Sequence, residues 1–563
     1  MIKRLTFISS LAYTLVVAVA TAAAAQDGAY FTDITDDVGL KFEHDPGVEG
    51  FYWAPEVMGS GGAFLDFDDD GDLDIYLLQG GFLPESKNEN RKPNQLFRQN
   101  ADGSFTDVTA SSGLGHTGYG TGVAVGDIDN DGLVDIYVAN YGPDALFRNQ
   151  GGGKFGNVTK TAGIEDDAWS ASAGFCDYDA DGFLDIFVTR YLINDATKKC
   201  VSDSGAMDYC SPQSFNRHHP DTLYHNDGDG TFTDVSESSG IASVAQPGLG
   251  VLCHDFNVDG LMDFYVANDG EANRLWQNMG NGKFEDQAIL MGAALNAFGR
   301  PEASMGVTLG DVDGDADFDL FMTHLIDQTN TLYLNDGTWG FEDVSSARGL
   351  GASSLEFTGF GTSFIDLDLD GDLDLAVVNG RVDQGAPLPG ANVGDFWNMY
   401  AEPNFLYEND GRGQFTDISP KGGRFTALVE ASRGLVLGDI DRDGDFDFLV
   451  TNSGSAARLF RNDAPRQGNY LMVTTYDPRY NRVAHGTVVT VNAGGESYAR
   501  ISDPAYSYLS SNEAKAHFGI ASRTKVDSIR VRWPDGSEEM FPGVELNQSI
   551  TLEKGKGRKA PTP

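Results

Sequence analysis

The chain has 563 residues, 40% hydrophobic and 11% aromatic, enough apolar material for a packed core and too much for a disordered chain. Lys and Arg number 39 against 84 Asp and Glu, a formal charge of −45; a surface of that sign repels phosphate backbones and excludes nucleic acid as a partner. Gly stands at 69 and Phe at 35, a composition that points to many tight turns between short strands.

At the N-terminus Lys3 and Arg4 precede an apolar run from Leu5 to Ala20 and a small-residue stretch ending at Ala25, the order of a secretory signal peptide over residues 1–25. An N-terminal membrane anchor is the alternative, and no later stretch approaches the roughly 20 apolar residues of a membrane span. Cleavage after Ala25 leaves 37 basic and 84 acidic residues in a secreted or periplasmic chain. Export permits disulfides. Cys200 and Cys210 share one loop and are the pair expected to join, whereas Cys176 and Cys253 stand in apolar strand patterns and read as buried thiols.

A single F-T-D-I-T element, Phe31 to Thr35, comes next, and then an Asp-rich nine-residue motif recurs seven times. Numbered from its first Asp, positions 1, 3, 5 and 9 are Asp66, Asp68, Asp70 and Asp74, then Asp127, Asp129, Asp131 and Asp135, then Asp177, Asp179, Asp181 and Asp185. The fourth copy has Asp255, Asn257, Asp259 and Asp263, and the fifth Asp311, Asp313, Asp315 and Asp319. The sixth has Asp366, Asp368, Asp370 and Asp374, and the seventh Asp439, Asp441, Asp443 and Asp447. Each copy is flanked by short apolar runs and followed by an N-x-L-F-x-N element, as at Asn94 to Phe97, and a G-x-F-x-D-V-T element, as at Phe105 to Thr109: four short strands per repeat.

The seventh repeat stops after Asn462 without its last element, while the surplus one stands at the other end of the chain. A linear array has no use for that offset. A closed ring does, because an N-terminal strand completing the final blade locks the circle and protects the sheet edges. The expected fold is therefore all-β, a seven-bladed β-propeller over residues 26–465. From Asn469 the motif ceases and longer alternating strands begin, as in Ile529 to Trp533, so residues 466–554 read as a small β-sandwich-like domain. The Lys/Gly/Pro-rich residues 555–563 read as a disordered tail.

The motif has the chemistry of a calcium loop. Calcium takes six to eight hard oxygen ligands. Positions 1, 3, 5 and 9 offer carboxylates, position 7 a backbone carbonyl, and the Gly at position 6 permits the positive φ that wraps the turn. The position 7 residues are Asp72, Leu133, Phe183, Leu261, Asp317, Asp372 and Asp445. An EF-hand is excluded, since position 12 of the first copy is Leu77 rather than Glu and the flanks are strands. Up to seven Ca2+ ions would place 14 positive charges against 27 carboxylates at positions 1, 3, 5 and 9. The copies starting at Asp255 and Asp311 are the weakest, through Asn257 and through Ala316 in place of Gly. An Asp/Gly-rich hairpin can also be no more than a good turn, a reading that seven copies in phase disfavour.

These motifs resemble the FG-GAP/VCBS-type repeats also found in integrin α-chains, and the whole arrangement resembles the cartilage acidic protein family with its C-terminal ASPIC/UnbV domain. The matching segments are Pro55 to Gly61, Tyr209 to Pro212, Phe360 to Thr362, Ser432 to Gly434, His517 to Gly519, Val526 to Ser528 and Val531 to Pro534; Asn481 to Gly486 departs from the family's more Gly-rich turn. The resemblance implies an exported calcium-binding propeller with adhesion or interaction roles, and no settled reaction.

The longest insertions, 79–92, 190–221 and 381–403, fall on the face opposite the Asp motifs and carry His218, His219, Trp397 and Tyr400. That face is the expected site for a protein or carbohydrate partner, unless those side chains only pack their own loops. His254, inside a strand, reads as structural. No H-E-x-x-H, G-x-S-x-G or P-loop motif is present, and Gly151 to Gly156 matches G-x-G-x-x-G only within a strand element. A monomeric calcium-binding interaction protein is the preferred reading; an exported enzyme acting on polysaccharide or a natural product, with its site on the insertion face, is the alternative.

Overall fold

A computed structural model describes residues 28–560, apart from residues 82, 84–85, 87–90, 196, 203–204, 216 and 338–339. The export signal expected over residues 1–25 lies outside the described residues. Among the described residues no helix is long and apolar enough to cross a membrane.

Seven four-stranded antiparallel sheets follow one another along the chain. In blade one the strands are Gly62–Leu65, Asp74–Leu77, Gln95–Gln99 and Phe105–Asp107, with the first Asp motif as the turn between the first two. Blade seven contains Ser432–Gly438, Asp447–Asn452 and Arg458–Asn462, and its fourth strand is Phe31–Asp33 from the other end of the chain. Phe31 pairs with Asn462 and Asp33 with Phe460, so the ring closes as the repeat count requires.

Neighbouring blades meet through apolar faces and through one repeated side chain. The Asn or Gln that ends each third strand sends its amide to a backbone carbonyl of the preceding blade: Asn149 to Phe67 (2.9 Å), Asn226 to Ile128, Asn278 to Tyr178, Asn409 to Val312, Asn462 to Leu367 and Gln99 to Ile440. Six of the seven junctions are tied in this way. Blade five differs, its Asn335 bonding Phe318 of its own blade. The last Asn of N-x-L-F-x-N is therefore a stitch between blades, a role that its recurrence signals but that sequence alone does not assign.

A disulfide also spans blades three and four. Cys176 and Cys253, expected as free buried thiols, are joined, with Cα atoms 6.3 Å apart. Cys176 stands one residue before its Asp motif and Cys253 two residues before its own, so they point to opposite sides of their strands. Across the interface of consecutive blades those two sides face each other. Cys200 and Cys210 are joined as expected. Peptide mapping under non-reducing conditions should recover both pairs. Replacing Cys176 and Cys253 by Ser should cost about 4 kcal/mol, the chain-entropy value for so long a loop, and an unchanged melting temperature would contradict that.

The C-terminal domain is a sandwich of two sheets. Tyr470–Asp477, Ala516–Gly519 and Gln548–Glu553 belong to one; Thr487–Ala493, Glu496–Ser502, Ser528–Arg532 and Glu538–Pro542 belong to the other. Leu471, Val489, Val491, Phe518, Ile529, Val531 and Trp533 form its core. Part of the segment expected as a disordered tail is ordered: Arg558–Lys559 pairs with Glu539 and Met540, because an edge strand with free backbone groups lies within reach.

This domain docks on the hairpin face of the ring, and its loop around 503–513 enters the central channel. Ser511 exchanges backbone bonds with Gly62 and Phe64 of blade one, and the Leu509 carbonyl accepts from Val123 of blade two. Leu509 N–H donates to Ser172 of blade three, Ser507 pairs with Val307 of blade five, and its hydroxyl accepts from Thr362 of blade six. Asn512 accepts from Leu437 of blade seven. Tyr508 and Leu509 are 1% and 2% exposed. A Cβ on Gly61 would lie 1.7 Å from the Leu509 carbonyl oxygen, which explains the glycine in the segment Pro55 to Gly61. The domain is an axle for the ring, and its loop bonds six of the seven blades.

Candidate cation sites and the opposite face

Each Asp motif folds by the same rules. The position 1 carboxylate accepts N–H groups of the turn, as Asp66 does from Asp70 (3.1 Å) and Gly71 (2.9 Å). Position 6 is left-handed in every copy, from Gly71 at φ 86° to Gly371 at φ 102°, and Ala316 follows at φ 74°. That strain costs the fifth hairpin about 1 kcal/mol.

The position 9 carboxylates are buried and serve a second purpose. Asp74 accepts from Phe67 N–H (3.2 Å) and from Gln99 N–H (2.8 Å), and so joins the turn to the third strand. Asp135, Asp185, Asp263, Asp319, Asp374 and Asp447 make the equivalent bonds. Burial pushes Asp74, Asp135 and Asp319 up to about 8, and Asp185 and Asp263 to about 7. Asp366 also rises to about 8 through burial and Asp439 to about 7. So much buried negative charge is costly unless a counter-charge meets it.

The residues fit a hard cation. Buried carboxylate oxygens of Asp68, Asp129, Asp177, Asp313, Asp366, Asp368 and Asp445 have no hydrogen-bond partner. Ligand atoms of Asp66, Asp68 and Asp70 lie within 4.8 Å of one another, as do those of Asp127, Asp129 and Asp135, of Asp177, Asp179 and Asp185, and of Asp311, Asp313 and Asp315. Unpaired, convergent oxygen donors of this kind suit a divalent cation with oxygen coordination. In blade three His225 adds an imidazole beside Asp179 and Asp181, a neighbour not anticipated from the Asp motif. At the fourth hairpin Asn257 donates to Asp259, so it relieves rather than adds charge.

The docked domain supplies arginines to this acidic face. Arg466 reaches Asp443 and Asp445, Arg482 lies 3.6 Å from Asp177, and Arg532 lies 3.9 Å from Asp255. Arg500 donates to the Gly371 carbonyl (2.8 Å) inside the sixth hairpin. From Arg466 to the C-terminus the chain has 13 Lys and Arg against 10 Asp and Glu, opposite in sign to the rest. Arg482 lies within the segment that departs from the Gly-rich turn, where it bonds Asn130 (3.0 Å) and Gly182. His254 is structural, 3% exposed against Phe256 and Phe318, and burial drives its imidazole down to about 3.

On the opposite face the insertions 190–221 and 381–403 pack together. Trp397 and Tyr400, read as candidates for an aromatic rim, are 8% and 0% exposed in a cluster with Trp169, Tyr191, Tyr209 and Phe215. The insertions carry enough apolar surface to bury one another, so the rim passes to other residues. His218 and His219 are half-buried at its edge. Under the cluster Glu56 is fully buried, bonded to the Tyr209 hydroxyl (3.0 Å), with its carboxyl pushed up to about 8 by burial. Arg433 is fully buried too, its guanidinium bonding the Val57 carbonyl (2.7 Å) and lying 4.0 Å from the Phe360 ring centre. Phe51 is one of the exposed aromatics, 48% exposed, stacked on Trp53 and followed by Tyr52 at φ 56°.

The hairpins, the closed ring and the docked sandwich define a repeat propeller with an integral C-terminal β-domain. Residues 66–138, 127–188, 255–322 and 311–377 match the FG-GAP-like repeat family, and residues 477–559 match the ASPIC and UnbV family. Cartilage acidic protein 1 of Mus musculus is 27% identical over 380 residues, covering 63% of this chain and 46% of the mouse protein. The Homo sapiens protein is 27% identical over 342 residues, covering 60% of this chain and 40% of its own length. The match thus spans less than half the length of these relatives. The chain carries FG-GAP-like repeats and an ASPIC and UnbV domain, and its relatives are consistent with the cartilage acidic protein-like family. Two solved structures align over 72% of the chain. One is an Agrocybe aegerita lectin described as recognising non-reducing terminal N-acetylglucosamine, with TM-score 0.35, 15% identity and 91% of that chain covered. The other is YCF48 bound to a D1 peptide, with TM-score 0.39, 8% identity and 93% covered.

Proposed function

We propose that this is an exported calcium-binding propeller whose hairpin cations and docked C-terminal domain hold a rigid ring, and whose insertion face binds an extracellular protein or carbohydrate. The observation that carries the calcium reading is the recurrence of buried, unpartnered carboxylate oxygens in the Asp hairpins. Positions 1, 3, 5 and 9 of each motif would hold the ion, with the position 7 carbonyl completing an all-oxygen shell. The two disulfides support an oxidising destination.

With the C-terminal domain docked on part of the hairpin face and its loop in the channel, the insertion face is a large surface left for a partner. Phe51 is an exposed aromatic there, and Lys199 lies 5.6 Å from its ring centre. Tyr52 beside it holds a left-handed backbone, a strain that for a bulky residue is uncommon and concentrates at binding sites. The test is a glycan array together with a panel of purified extracellular matrix proteins, probed with the mature chain and with Phe51→Ala. A ligand lost by about tenfold or more in the variant, with folding intact, is the expected result for a contact of this kind. A ligand retained at full affinity by Phe51→Ala would place the binding surface elsewhere.

A further inference from the structure

The seven hairpins are not equally open. Position 3 is half-buried or exposed in six of them, but in the sixth Asp368 is 5% exposed and Asp366 is 1% exposed. Leu369 at position 4 is wholly buried, whereas Val258 at the same position of the fourth hairpin is 65% exposed. The cover comes from the C-terminal domain. Gln467 donates its side-chain amide to Asp368 (2.5 Å) and its backbone N–H to the Asp368 carbonyl (2.6 Å). Gly519 N–H donates to Asp366 (2.9 Å), and Ala521 N–H donates to the Leu369 carbonyl (3.0 Å). A Cβ on Gly519 would lie 2.1 Å from an Asp366 oxygen, so no larger residue fits against the hairpin.

Within this enclosure one oxygen of Asp366 and one of Asp368 are buried without any hydrogen-bond partner. The other oxygen of each is already held, Asp366 by Gly371 and Gly519 and Asp368 by Gln467. Two buried, unpartnered carboxylate oxygens in one turn suit a cation, and the covering domain restricts its exchange with solvent.

We propose that the sixth hairpin holds an occluded calcium ion that locks the C-terminal domain onto the propeller, distinct from the exchangeable ions of the open hairpins. This rests on the calcium reading above and adds a role for one site: the ion leaves only when the domain lifts, and the domain lifts more readily once the ion is gone. Gln467 and Gly519 are its closing residues, supplied by the domain that the ion secures.

The test loads the mature chain with radioactive Ca2+, chases with excess unlabelled Ca2+, and follows retained label. One ion per chain should leave about tenfold or more slowly than the rest, because its release is limited by opening of the interface. Gln467→Ala should speed that slow phase, and Asp368→Asn should abolish it while leaving the fast ions in place. Hydrogen exchange over residues 516–521 should rise in the calcium-free protein and in Asp368→Asn, a readout that does not depend on counting ions. If calcium binds but every ion exchanges at one rate, the occluded site is wrong and the calcium reading stands. If no calcium binds, both fall.

Discussion

A chain that begins at Asp36 is expected to lose cooperative folding. The residues removed include Phe31, fully buried with its ring 4.3 Å from Phe448 and 5.5 Å from Phe425. Its loss alone costs about 3–5 kcal/mol. Backbone bonds go with it: Ile34 N–H to the Leu459 carbonyl (2.9 Å) and Asp463 N–H to the Tyr30 carbonyl (2.6 Å), together with Leu459 N–H to the Thr35 hydroxyl (2.9 Å). The strand Arg458–Asn462 would then present an unpaired edge, a template for association. Domains of ordinary stability hold about 5–15 kcal/mol in all, so the sum is enough to unfold the last blade and open the ring. Size-exclusion chromatography should show aggregation and thermal melting should show a broadened transition. A monomer with the melting temperature of the full chain would contradict the closed ring.

Ending the chain at Pro465 is expected to damage the propeller itself, although the C-terminal domain has its own core. The channel would lose Tyr508 and Leu509, and the inner strands would lose the partners that Ser507, Leu509, Ser511 and Asn512 supply to six blades. The acidic hairpin face would also lose Arg466, Arg482, Arg500 and Arg532. The melting temperature should fall by about 10 °C or more. Leu509→Ala in the full chain gives a graded form of the same test, expected at about 2–5 kcal/mol for a buried leucine. A truncated propeller as stable as the whole would show that the domain only rests on the ring.

The blades and the ring closure were legible in the sequence because both rest on local repetition: four strand elements per Asp motif, and one surplus element at Phe31 to Thr35. The Asp hairpins were legible for the same reason, since the four carboxylate-bearing positions lie within nine residues. What the repeats hid depends on how distant segments meet. Cys176 and Cys253 sit in different blades, and their one-residue difference in phase has meaning only once the blades are neighbours. Trp397 and Tyr400 read as exposed loop aromatics, yet two insertions and the segment Ala54 to Met58 converge and bury them. The docking of the C-terminal domain left traces that the repeat pattern does not decode: glycines such as Gly61, which leave room for the Leu509 carbonyl, and a basic segment after an acidic ring.

The account stands on the cations, and scanning calorimetry of the mature chain in excess calcium and in excess chelator tests it most directly. Binding to the native state alone stabilises by mass action, about 4 kcal/mol per site at a thousandfold excess over Kd. Several occupied hairpins should therefore raise the melting temperature substantially and sharpen the transition. The expected result is a large downward shift in chelator, reversed by adding calcium back. Superimposable curves in calcium and chelator would contradict the account.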